Sequence, residues 1–84
     1  MDVEGRVLAL IDEALELEGR ALAFSSDARL LGAVPELDSM AVVGIINLLE
    51  ERFGFVVEDD EIDGRTFATV GTLVSYVSRK LKRP

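Results

Sequence analysis

Ser39 stands between Asp38 and Met40, immediately ahead of a long apolar stretch. That placement puts the serine in the first turn of a helix, where backbone N–H groups point outward and the dipole is positive. A phosphate esterified to its hydroxyl would rest in a favourable field. Asp-Ser before an apolar helix is equally a plain capping sequence. The chain has no His and no Cys, so nothing in it activates Ser39 by the usual triad logic. Modification of Ser39 therefore needs a second enzyme, and no catalytic residue is expected in this chain. The same absences remove thiolate chemistry, disulfides and Cys/His zinc sites. Asp59, Glu61 and Asp63 alternate somewhat like a calcium loop, but the further ligands and the spaced Gly are missing. No metal site is expected.

The elements that must position Ser39 are few. With 84 residues and 49% of them hydrophobic, the chain is one small domain with little material for a deep active site. Its net charge of −7 argues against nucleic-acid binding, which depends on Lys and Arg. No apolar run approaches the roughly 18–20 residues of a membrane span, and the N-terminus lacks a signal pattern. A small, soluble, cytoplasmic protein without membrane insertion is expected. The charge is unevenly spread: residues 36–63 hold nine acids and one base, whereas residues 64–84 hold five bases and no acid. The acidic middle is either a solvated face or a docking face for a basic partner. The basic tail of Arg79, Lys80, Lys82 and Arg83 suits the negative end of a last helix.

Three stripes of apolar residues predict helices. Val3, Val7, Leu8, Ile11, Ala14 and Leu15 give one over about 2–16, with Gly19 marking its end. Val42, Ile45, Ile46, Leu49 and Phe53 give one over 39–53, with Asp38 as N-cap and Gly54 as stop. Val70, Leu73, Val74, Val77 and Leu81 give one over 69–82, with Thr69 as N-cap. Residues 59–63 form a short acidic helical turn. Residues 17–38 carry Gly19, Gly32 and Pro35 but are too apolar for a free linker. They read as a long ordered loop pinned to the core by Leu22, Phe24, Leu30, Leu31, Val34 and Leu37, with a short turn near Asp27–Leu31. The expected fold is all-α: a small antiparallel bundle of three main helices plus one short helix, with a long ordered first loop.

On helix 39–53, Met40, Val43 and Gly44 fall beside or opposite the inward stripe. An exposed Met suits adaptable partner contacts, and a buried one fills core. Gly44 inside a helix costs about 1 kcal/mol relative to Ala, which either close helix packing or an approaching partner would offset.

Taken together, the ordered motifs resemble the acyl carrier protein family. They are Leu37-Asp38-Ser39-Met40, the helix ending Leu48-Leu49-Glu50-Glu51-Arg52-Phe53-Gly54, the acidic segment Val57-Glu58-Asp59-Asp60-Glu61-Ile62, and Ala68-Thr69-Val70. The resemblance runs from Val3 to Leu81 and implies a single acyl-carrier-like domain over residues 1–84. It implies that a phosphopantetheinyl transferase attaches 4′-phosphopantetheine from coenzyme A to Ser39, with Asp38 as the flanking motif residue. The working thiol then belongs to the arm, as a chain without Cys requires. Acyl groups would ride it as thioesters between acyl-loading and acyl-transfer enzymes. The protein would shelter the cargo in the bundle core and act as a monomeric carrier. Met40, Val43, Gly44, Asn47, Glu50 and Glu51 would form the docking face.

Some positions depart from the fatty-acid members of that family. Glu36 stands where they have Gly, and Ala41 and Gly44 stand where they have acids. Such a chain resembles a specialised carrier in lipid, polyketide or aminoacyl chemistry. Leu37-Asp38-Ser39-Met40 is similar to D-alanyl carriers, and Asp59-Asp60-Glu61-Ile62-Asp63 with Phe67-Ala68-Thr69 to carriers beside exosortase and exopolysaccharide systems. Peptidyl carriers of nonribosomal synthesis fit less well. The alternative from a different class is a non-carrier helical interaction module with an acidic docking face, in which Ser39 is only a cap.

Overall fold

Asp2 opens the first helix by accepting a hydrogen bond from Gly5 N–H at 2.7 Å. In the computed structural model of the protein, which describes residues 2–82 and leaves the Asp59 side chain undescribed, three α-helices follow in order. They are α1 (Val3–Leu15), α2 (Ser39–Phe53) and α3 (Val70–Lys82). Two short 3-10 helices, Arg20–Ala23 and Asp59–Glu61, lie between them. The described residues form no strand, and a single isolated bridge joins Arg29 to Thr69. The fold is therefore all-helical, as the apolar stripes predicted. Met1, Pro84 and Arg83 of the basic tail lie outside the described residues.

Helix α1 is the centre of the packing, touching α2, α3 and the first 3-10 helix. It buries Val7, Leu8, Leu10, Ile11 and Leu15. Against these pack Ile45 and Leu49 from α2, and Val70, Leu73, Tyr76 and Val77 from α3. The three stripes thus share one core, closed by Phe67 and by Leu17, Ala21, Leu30 and Leu37 of the long loop.

Several expectations need correction. Helix α1 ends at Leu15, ahead of Gly19, because Glu16 takes the left-handed cap at φ 53°. Gly19 instead turns the chain into the 3-10 helix. Asp12 dictates this: its carboxylate accepts from Gly19 N–H at 2.9 Å and Ala21 N–H at 3.0 Å. The short helix expected over 59–63 is a 3-10 turn of three residues, Asp59–Glu61. Near Asp27–Leu31 the chain makes turns at 26–27 and 31–33 around the bridging Arg29. Leu22 and Leu31 do not pin the loop, since they are 59% and 43% exposed. Leu81 is likewise an exposed member of the α3 stripe.

The loop is held through its backbone instead. Leu30 N–H donates to Ala68 O and Leu31 N–H to Phe67 O, while Val70 and Gly71 N–H donate back to Ala28 O and Ser26 O. A Cβ at position 71 would sit 3.1 Å from Ser26 O, so the close approach uses a glycine. This ladder fixes the long loop against the start of α3. The loop then delivers the chain to α2 through the buried Leu37.

Candidate functional site at the start of α2

Asp38 takes an extended conformation as N-cap of α2, and its carboxylate accepts from Ala41 N–H at 2.8 Å. Its carbonyl accepts the first intrahelical bond, from Val42 N–H at 3.0 Å. Ser39 is therefore the first helical residue, as expected. It is exposed, and its hydroxyl bonds to no described residue. The amides of Ser39 and Met40 also find no acceptor among the described residues, and the first turn carries no acid. A hydroxyl flanked by two unpaired amides at the positive end of a 15-residue helix suits a phosphate ester. A 4′-phosphopantetheine arm esterified to this hydroxyl would find those amides free to stabilise its phosphate charge.

Along the outward face of α2, Met40 is 78% and Val43 53% exposed, and Asn47 and Glu51 follow as exposed residues at helical spacing. Nothing lies within 4 Å of a Cβ built on Gly44. Close helix packing is thus not the reason for the glycine. Glu50 behaves differently from Glu51: it is half-buried and turns its carboxylate to Val57 N–H at 2.8 Å, holding the loop after α2. Gly54 takes φ 77° at the helix end, in the left-handed region that glycine enters without strain.

One feature beside the site was not readable from the sequence. Arg20, on the first 3-10 helix, donates to Glu36 at 2.6 Å. The Arg20 guanidinium, followed by the residue's own backbone amide, holds the Glu36 carboxyl below its ordinary range. Glu36 stood out as a departure, but its partner lies sixteen residues upstream, on the 3-10 helix whose start Asp12 holds.

Away from Ser39, a groove of about 770 Å³ lies between the Ser26–Asp27 turn and α3, lined by Thr69, Thr72 and Ser75. Among the described residues no group of three or more His, Cys, Asp or Glu could hold a metal ion. No helix there is long and apolar enough to cross a membrane.

The sequence matches the family described as PP-binding, the phosphopantetheine attachment site, over residues 5–77. A holo acyl carrier protein from Nitrosomonas europaea, solved by solution NMR, is 43% identical. It superposes with a TM-score of 0.91, covering 99% of this chain and 100% of its own. The attachment-site match over residues 5–77 and a relative of matching fold together show the family: the chain belongs to the acyl carrier protein family, whose members work through 4′-phosphopantetheine as carriers and not as enzymes.

Proposed function

We propose that Ser39 is the residue that receives the arm. The observation that carries this is the exposed, unpaired hydroxyl at the first position of α2, beside two unpaired amides and a cap that Asp38 already satisfies. In the loading step, Ser39 Oγ bonds to the phosphorus nearer the pantetheine of coenzyme A. The pyrophosphate P–O bond breaks, and the bisphosphorylated adenosine leaves with its electron pair. The hydroxyl proton passes to a base of the transferase, since this chain has no His to take it. When bound, the arm supplies the terminal thiol on which an acyl group is held as a thioester. The chain's own part is to fix the anchoring oxygen, to stabilise the phosphate charge and to offer a face to enzymes.

Met40, Val43, Gly44, Asn47 and Glu51 form that face, acting on a phosphopantetheinyl transferase and on acyl-loading and acyl-transfer enzymes. From Ser39 to Leu49 the helix carries no charge, so its early half docks by apolar and polar contact, with Glu51 as the acidic contact beyond. Glu50 contributes by holding the Val57 backbone in place. This pattern supports a specialised carrier, which we propose acts as a monomer in the cytoplasm.

The test is intact-protein mass spectrometry after incubation with coenzyme A, Mg²⁺ and a broad-specificity phosphopantetheinyl transferase. Wild type should gain one phosphopantetheine and Ser39→Ala none, with both folded by circular dichroism. Equal gain in the variant would remove Ser39 from this role. No gain in either, with a transferase matched to the source organism as well, would favour the plain interaction module.

A further inference from the structure

Glu36 lies three residues ahead of Ser39, so its backbone is at most about 10–11 Å away. At low ionic strength, about 0.01 M, the Debye length is about 30 Å, so a charge on residue 36 is felt at the modified hydroxyl. Arg20 donates to the Glu36 carboxylate through one guanidinium nitrogen at 2.6 Å. It is anchored on its other side by Nε donating to Leu17 O at 3.1 Å. The two side chains stay 63% and 37% exposed. A pair so exposed adds little to stability, and its consequence is electrical. It converts an acid beside the arm into a neutral position, leaving Asp38, already bonded to Ala41 N–H, as the acid flanking Ser39.

Resting on Ser39 as the attachment residue, we infer that Arg20 is a specificity-determining residue for loading: it masks Glu36, so that an anionic donor can approach Ser39. Coenzyme A brings several negative charges to this point, and the product leaves one of them there as a phosphodiester. An unmasked Glu36 opposes both. A bare Arg20 assists both. The pair therefore acts through net charge and not through shape.

The experiment measures kcat/KM for arm transfer from coenzyme A, at low salt, with the full chain. Arg20→Gln keeps an amide able to reach Leu17 O and should slow transfer about two- to fivefold. Glu36→Gln should speed it by a similar factor, and the double variant should return to the wild-type rate. All differences should shrink near about 1 M salt, where the Debye length is about 3 Å. Slowing by Arg20→Gln and speeding by Glu36→Gln, with the double restored, support charge masking, whereas the reverse signs show an unmasked Glu36 assisting transfer and overturn it. Slowing by both single variants, with no recovery in the double, shows a structural strap and overturns it. No change in any variant overturns it as well. Ser39→Ala, run alongside, separates the premises: transfer that survives in it sinks the Ser39 assignment, whatever the Arg20 series shows.

Discussion

The Lys80 ammonium donates to the Glu61 carboxylate at 2.8 and 3.1 Å, with only 12% and 19% of the two side chains exposed. The pair joins the acidic 3-10 turn to the last part of α3. Phe55 lies beside it, with its ring edge-on to Tyr76 at 6.3 Å and Lys80 5.8 Å from its centroid. This ion pair and aromatic contact help to fasten the chain between α2 and α3, with Glu50 holding its first part through Val57. Removing Lys80 takes the ammonium away from a largely buried carboxylate. Lys80→Ala should cost about 1–3 kcal/mol, read from urea unfolding. A midpoint that does not move would show the pair to be idle.

Asp12 is the corresponding fastener of the chain after α1. Its carboxylate closes the turn after α1 on Gly19 and Ala21, and its carbonyl accepts from Leu17 N–H at 3.0 Å. Asp12→Ala should destabilise by about 1–3 kcal/mol, with Asp12→Asn milder because one acceptor oxygen survives. Equal stability of all three proteins would contradict that role.

Gly44 makes stability and docking separable. No described residue blocks a Cβ there, so Gly44→Ala should raise stability by about 1 kcal/mol. If a partner crosses α2 closely at that point, arm transfer should slow in the same variant. A more stable protein loaded at the wild-type rate would mean that no close approach occurs during loading.

Two exposed carboxylates should add a small part to the acid weakening of the fold. Arg20 holds Glu36 below its ordinary value of 4.5, and Arg65, by side chain and then backbone, holds Asp63 below 3.8. Both folded values are depressed. Their contribution is therefore present above the ordinary values and is lost as pH falls through the depressed ones. A Glu36→Gln, Asp63→Asn variant should lose less stability than wild type across that acid range. Identical acid limbs in urea titrations would exclude the two groups.

The helices were legible because each carried its stripe and its stops. Asp38 and Gly54 bound α2 as the sequence indicates, since capping is a local interaction. Thr69 likewise bonds Thr72 N–H at 3.1 Å ahead of α3. The segment 17–38 was legible only as ordered. Its path depends on Asp12 and on backbone bonds to the start of α3, neither of which has a periodic signature. Leu10 and Tyr76 are buried outside the stripes named from sequence, because α1 packs on several sides and Tyr76 meets Phe55. Ser39 was legible as a position, and its unpaired hydroxyl and amides needed the structure. The Arg20–Glu36 pair was legible only as an odd Glu.

The most direct test is to locate the arm. Loaded protein would be digested and the modified peptide fragmented by tandem mass spectrometry. The phosphopantetheine should fall on Ser39 and on none of Ser25, Ser26, Ser75 or Ser78. Finding it on any of those, with Ser39 unmodified, would contradict the placement of the carrier's working residue at the start of α2.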